Sequence, residues 1–255
     1  MSERLSVSIV VPAWNEARIV CASLQRLRHD FDDCELVLVD GGSADGTAEL
    51  AEPFARVLRT GRGRAHQMNE GARHTAGDVL WFVHADTVIA PEALGQLRAA
   101  LQDETVVGGG LQLRFDVHNT GLDLLARSSN ARARRLHHVF GDQAMFVRRS
   151  VFEQLGGFPL LPLMEDLELS RRLHRVGKLA VLPATSTASA RRFTENGTWQ
   201  MVAFMQYLKL LYFAGVPPQR LADRYHRGPR LPGSRRSRSR HSCQSLEDDG
   251  VRTAR

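Results

Sequence analysis

Five short clusters of polar residues hold the side chains of this 255-residue chain that can do chemistry. Each follows or closes an apolar run. Asp40 ends the run Leu36–Val39, and a carboxylate delivered to the carboxyl end of a buried strand can accept hydrogen bonds from a ribose or a base amide. The glycines that follow it, Gly41 and Gly42, let the backbone turn sharply. A glycine-rich turn with Asp45 as helix N-cap accounts for the glycines but leaves Asp40 unexplained. The spacing is not G-x-G-x-x-G, which argues against a dinucleotide fold.

Pro12-Ala13-Trp14-Asn15-Glu16 follows the first apolar run: Pro12 is expected to stop a strand, and Asn15 and Glu16 present polar groups at a helix start. Taken alone, this cluster reads as a capped turn. Arg62-Gly63-Arg64, with Gln67 and Asn69 just after it, combines basic side chains with a helix amino terminus, and both favour phosphate. His84 and Asp86 close the run Val79–Val83; on an extended strand end, positions i and i+2 point the same way. That pair suits a hard divalent cation that keeps waters and binds diphosphate oxygens. Glu165-Asp166 lies behind a loop containing Gly156, Gly157, Pro159 and Pro162. Acidic residues at a helix start answer its dipole, but a loop of that kind also fixes carboxylates at an edge open to substrate, where a general base must stand.

Alternating strands and helices must position these clusters. The pattern gives Val7–Val11 then Ala17–Arg28, Leu36–Val39 then Thr47–Phe54, Val57–Leu58 then Arg64–His74, and Val79–Val83 then Pro91–Leu101. Such βαβ units imply a mostly parallel sheet covered by helices, with ligands gathered beyond the strands' carboxyl ends. Further on, Leu111–Phe115 and Ala144–Val147 read as strands, Gly121–Arg135 as a helix capped by Asn119, and Leu167–Arg175 as a helix closed by Gly177. Trp199–Ala214 reads as a helix packed on the body, too short and polar for a membrane span, with an interfacial amphipathic helix as the alternative.

With 43% hydrophobic residues, the chain can bury a sizeable core. Its charge of +6 is unevenly placed: from Arg227 onward eight arginines stand against three acids, so the rest is nearly neutral. A broad basic face for nucleic acid is therefore unsupported. Residues 227–255, rich in Arg and Ser, are expected to be a disordered tail, with attraction to anionic lipid or nucleic acid as the sharper alternative. Cys21, Cys34 and Cys243 lack metal-ligand spacing and fit a reducing, cytoplasmic setting. The amino terminus reads as a first strand, not a signal peptide.

In this order, PAWNE, DGGSADGT, GRGRAHQMNEGA, the Asp86 motif, GDQAMFVRR and MEDLELSRRL resemble family 2 glycosyltransferases of the GT-A fold, over roughly residues 5–195. The resemblance is to a short stand-alone bacterial branch related to glycosyltransferases of carotenoid acids. It implies an α/β, Rossmann-like, mostly parallel sheet in a domain of residues 1–226. The nucleotide-binding part would cover about 1–115 and the acceptor part about 116–226. It implies a nucleotide-sugar donor such as UDP-glucose, an acceptor hydroxyl or carboxylate of lipid or carotenoid type, inversion at the anomeric carbon, and Mg or Mn. Pro12, Asn15, Glu16, Asp40 and Gly41 would line the nucleoside pocket, with Arg64, Asn69, Asp142 and Arg192 at the base, sugar or diphosphate. Asp86 would bind the metal, with His84 standing where the family writes the first Asp of D-x-D. Asp166 would be the base and Glu165 would orient the acceptor. A peripheral contact with the inner face of the cell membrane follows as a further expectation. The rival readings are a nucleotide-sugar-binding protein without catalysis, a nucleic-acid or membrane-surface binder led by the tail, and a sugar nucleotidyltransferase. The last would want a glycine-rich triphosphate loop after the first strand, and PAWNE is not that.

Overall fold

The computed structural model describes residues 4–229. Eight strands form one sheet: β1 (Val7–Ala13), β2 (Glu35–Asp40), β3 (Arg56–Arg59), β4 (Val79–Phe82), β5 (Thr87–Ile89), β6 (Val106–Phe115), β7 (Phe146–Arg148) and β8 (Lys178–Ala188). Their order is β3-β2-β1-β4-β7-β6-β8-β5. The first four positions run parallel, β7 is antiparallel to both neighbours, β6 and β8 are parallel, and β5 closes the far edge antiparallel to β8. The helices are α1 (Val20–Asp30), α2 (Thr47–Ala51), α3 (Arg64–Arg73), α4 (Ala93–Ala100), α5 (Thr120–Leu136), α6 (Arg149–Gln154), α7 (Glu165–Val176), α8 (Arg191–Asn196), α9 (Thr198–Phe213) and α10 (Pro218–Arg227).

The continuous apolar runs are explained by burial on both faces. Ile9, Val11, Leu36, Leu38 and Trp81 pack into one core, while Val10, Val37, Val39, Leu80 and Phe82 pack into another. This alternation is the strand period of two, and each large apolar side chain so buried contributes about 1.5–3 kcal/mol. A third cluster joins Met164 and Leu167 to Met201, Phe204 and Leu208 of α9 and Leu221 of α10. It seats α9 on the body, as the sequence predicts, directly behind the start of α7.

Several boundaries differ from the sequence reading. Pro12 does not end β1, which continues to Ala13, because β4 pairs only as far as Val10. The missing N–H therefore falls beyond that ladder. α1 starts at Val20 instead of Ala17, since the Ala17 N–H donates to Asp45 Oδ2 (3.0 Å) and residues 17–19 form a turn. α7 begins two residues earlier than expected, at Glu165. Strand β6 includes Gly108-Gly109-Gly110, read from sequence as preceding it. A Cβ at Gly109 would lie 1.9 Å from the Ala180 carbonyl oxygen, so these glycines admit the neighbouring strand. β5, β8, α6, α8 and α10 carried no sequence expectation. Apart from residues 227–229, the expected tail lies outside the described residues.

Candidate active site

One side of the candidate site is built where β1 and β2 end. Asp40 is buried; its Oδ2 accepts from the N–H groups of Gly42 and Ser43, both at 3.0 Å, and its Oδ1 is buried without a partner among the described residues. An unsatisfied buried carboxylate oxygen is costly unless a donor arrives. Gly41 serves close packing: a Cβ there would meet the Gln67 amide at 3.0 Å. Gln67 Nε2 donates to the carbonyls of Ala13 and Val39, both at 2.8 Å, tying the two strand ends together.

Pro12 lies half-buried on β1 just before the loop, and Asn15 braces the loop itself. Its N–H donates to Ser43 Oγ (2.8 Å) and its Oδ1 accepts from the Ala44 N–H (2.9 Å), with the backbone left-handed at φ 55°. Glu16 is half-buried; burial, then the Asp86 charge, raises its pKa, while Arg191, 4.0 Å away, opposes the shift. The Arg62 guanidinium lies 3.6 Å from the centroid of Trp14, closing the rim with a cation–π contact.

Asn69 stands apart from this group, contrary to expectation. Its Nδ2 donates to the Phe158 carbonyl (2.8 Å) and its Oδ1 accepts from the Phe158 N–H (2.9 Å). Both ends of the buried amide are engaged in pinning the loop ahead of α7, away from the ends of β1 and β2.

His84 and Asp86 do not share a strand face either. The Thr87 N–H donates to the His84 carbonyl (3.1 Å), making residues 84–87 a turn instead of extended chain. Asp86 is exposed beside Glu16 and Arg192, whose pKa values feel its charge. The His84 ring faces Gly141, where a Cβ would lie 2.9 Å from Cε1 and Nε2. Burial, then Arg64, pushes its pKa down to about 3, so the imidazole is neutral; its Nε2 is buried without a partner among the described residues. Among those residues no three His, Cys, Asp or Glu side chains gather as a metal cage. Asp86 fits Mg or Mn in the mode where one carboxylate and the substrate phosphates hold the ion, with water completing the shell.

The other side is organised by the start of α7. Met164 and Ala144 take left-handed backbone (φ 69° and 47°), a sparsely populated conformation for such side chains, on either side of the short turn Gly141–Gln143 and the Glu165-Asp166 pair. Asp166 Oδ2 accepts from the Gly141 N–H (2.8 Å) and Oδ1 from the Leu167 N–H (2.7 Å). Glu165 is buried, 3.5 Å from Arg64; burial, then Asp166, raises its pKa to about 7. Asp142 rises to about 6 through burial and then Asp166, against the opposing charges of Arg132, Lys209 and Arg64, and its Oδ1 is buried without a partner among the described residues. Arg192 is exposed and lies 4.5 Å over the Tyr225 ring.

Arg64 therefore links the two sides: its charge acts on His84, Asp142, Glu165 and Arg192. The sequence reading did not single out Arg132 and Lys209, whose charges act on Asp142. A lone Lys in the apolar run Trp199–Ala214 was the available signal for Lys209; Arg132 had none among the arginines of α5.

Comparison with known proteins supplies an independent view. The profile of Glycosyl transferase family 2 matches residues 8–156, more than half of the chain. The chain is 26% identical to the probable glycosyltransferase YdaM of Bacillus subtilis over 79% of its own length and 53% of that protein. It is 26% identical to the beta-monoglucosyldiacylglycerol synthase of Trichormus variabilis over 88% of its length and 60% of that protein. It thus spans little more than half the length of these relatives. A mannosyltransferase from Pyrobaculum calidifontis, solved with GDP-Man and Mn2+, has a TM-score of 0.60 at 20% identity, covering 88% of this chain and 69% of that one. Glucosyl-3-phosphoglycerate synthase from Mycobacterium tuberculosis, solved with Mn2+, UDP and glucosyl-3-phosphoglycerate, also has a TM-score of 0.60 at 20% identity, over 84% and 81%. Both likenesses concern the fold, which is the expected GT-A arrangement.

Proposed function

The chain belongs to glycosyl transferase family 2, and on that premise we propose that it moves a sugar from a nucleotide diphosphate donor to an acceptor hydroxyl or carboxylate, with inversion at the anomeric carbon. Residues to about 115 would hold the donor and residues 116–226 the acceptor. Asp40 Oδ1, with no partner among the described residues, would receive a donor N–H or O–H of the nucleoside, with Pro12 and Glu16 lining that pocket. Arg64 and Arg192 would counter the diphosphate charge. With a hydroxyl acceptor, Asp166 would take its proton as the acceptor oxygen bonds to the anomeric carbon and the bond to the diphosphate oxygen breaks, releasing a nucleoside diphosphate; a carboxylate acceptor would attack without that proton transfer. Glu165 would hold Arg64 and the acceptor in place. Mg or Mn, held by Asp86, would supply charge neutralisation of the leaving diphosphate.

The observation that carries this reading is the position of Arg64, in contact with Glu165 and felt by Arg192, which in turn feels Asp86. One cation thus lies between the proposed phosphate side and the proposed base. UDP-glucose is the donor tried first. Thermal stabilisation by UDP-, GDP- and dTDP-sugars, with and without Mn, followed by a transfer assay reading the product anomer, tests it. No stabilisation and no transfer would sink the reading. Stabilisation with neither hydrolysis nor transfer would favour a sugar-nucleotide-binding protein without catalysis.

A lipid acceptor is the second element of the proposal. The name of the Trichormus relative points to a diacylglycerol product, and α9 exposes Trp199, Leu210 and Phe213 on its outward side. Among the described residues no helix is long and apolar enough to cross a membrane. The exposed apolar side chains of α9 support peripheral contact with a membrane, assisted by the arginines from Arg227 onward, and the cytoplasmic face is the side we propose. The nearly neutral body gives nucleic acid little net positive charge to bind.

A further inference from the structure

Behind Asp166, two cations converge on a single aromatic ring. The Arg132 guanidinium carbon lies 3.8 Å from the centroid of Phe140, and Lys209 Nζ lies 4.8 Å from the same centroid. They arrive from different elements, α5 and α9, and Phe140 immediately precedes Gly141, whose N–H holds Asp166. Both residues are half-buried. Among the described residues neither has a carboxylate within ion-pair distance; Arg132 makes only long contacts, to the His138 carbonyl (3.4 Å), Ser129 Oγ (3.5 Å) and Gln143 Oε1 (3.5 Å). Lys209 makes no hydrogen bond in that set.

Two neighbouring cations taken from water without paired anions repel each other and lose hydration. A cation–π contact offsets only part of that cost. Asp142 and Asp166 lie near enough to influence Lys209, yet burial and the Arg132 charge prevail and push its pKa down to about 8. The arrangement is one that a bound anion would complete.

We infer that Arg132 and Lys209 form a subsite for an anionic group, a carboxylate or phosphate, carried by the acceptor next to the hydroxyl that faces Asp166. The assignment to the acceptor rests on the transferase reading above, in which α5 and α9 belong to the acceptor part and the nucleotide is held at the ends of β1 and β2. The planar guanidinium would grip two oxygens at once, and the ammonium would supply a point charge.

The test uses the full chain with inorganic phosphate as probe, measured by thermal melting with and without UDP and Mn. Phosphate at about 20 mM is expected to raise the melting temperature by roughly 3 °C. Lys209→Met and Arg132→Met, which keep the apolar stems, should lose that rise yet keep the rise produced by UDP and Mn; Arg132→Lys should recover part of the phosphate effect. No phosphate effect in the unaltered protein, or an equal effect in both Met variants, overturns the inference. So does a loss of the UDP response in those variants, which would place the cations at the donor diphosphate instead. If UDP-, GDP- and dTDP-sugars all fail to stabilise any form and no transfer is seen while the phosphate pattern holds, the transferase reading fails and the anion subsite stands without its assignment to an acceptor.

Discussion

The backbone N–H of Gly141 holds Asp166 Oδ2 at 2.8 Å across 25 residues of chain, while the Leu167 N–H takes Oδ1 at 2.7 Å. Both oxygens of the proposed base are thus aimed by main-chain donors. Asp166→Asn would set its new NH2 group against one of these N–H groups in either orientation. Turnover should fall by roughly 100-fold or more, with donor affinity nearly intact by calorimetry. An unchanged rate would remove Asp166 from the chemistry.

Asn69 separates structural from binding roles. Its amide satisfies both polar groups of Phe158, and Gly157 beside it takes φ 75° where a Cβ would lie 2.6 Å from Asn69 Oδ1. Asn69→Ala should cost about 2–4 kcal/mol through two unmet buried groups and lower the melting temperature by about 5 °C or more. Donor affinity, read at a temperature where the variant is folded, should change less than about threefold, a difference of under 1 kcal/mol. A selective loss of nucleotide binding without loss of stability would return Asn69 to the pocket.

Glu165 gives a signed pH dependence. Burial, then Asp166, raises its pKa from 4.5 to about 7. In that window the folded protein binds more protons than the unfolded chain, so stability falls as pH rises from about 4.5 to 7. Glu165→Gln removes this contribution. The melting temperature of the variant minus that of the unaltered protein should therefore increase between pH 5 and pH 8. A difference that stays flat would mean that Arg64, 3.5 Å away, keeps the carboxylate ionised throughout.

The parallel half of the sheet was legible because its strands are buried on two faces and so appear as unbroken apolar runs, each followed by a helical period. Asp40 was legible for the same reason, as a charge at the end of such a run. The errors at Pro12, His84 and Asn69 share another cause. Each depends on which neighbour the backbone or side chain meets: β4 stopping at Val10, the Thr87 N–H closing a turn, and Phe158 arriving from 89 residues away. Local spacing carries no trace of these encounters. Strand β8 escaped because it mixes Thr, Ser, Ala and Pro and earns its place through long pairing with β6. Lys209 and Arg132 were hidden because their shared feature is a common ring, 69 residues from one and 8 from the other.

The turn at residues 84–87 divides the two side chains that spacing had paired, and metal experiments can read that division. Asp86 is exposed toward Glu16 and Arg192, whereas the neutral His84 ring is packed against Gly141. If Asp86 alone among the two holds Mn, Asp86→Ala should weaken donor binding by about 10-fold or more with Mn present, a loss of about 1.4 kcal/mol, and much less in chelator. His84→Ala should lower stability by opening space beside Gly141 while leaving the Mn effect on donor affinity in place. Calorimetry of both variants, with Mn and with chelator, resolves the two roles. Equal donor affinity for Asp86→Ala and the unaltered protein in Mn would count against the metal site, and loss of the Mn effect in His84→Ala would bring the imidazole back into the coordination shell.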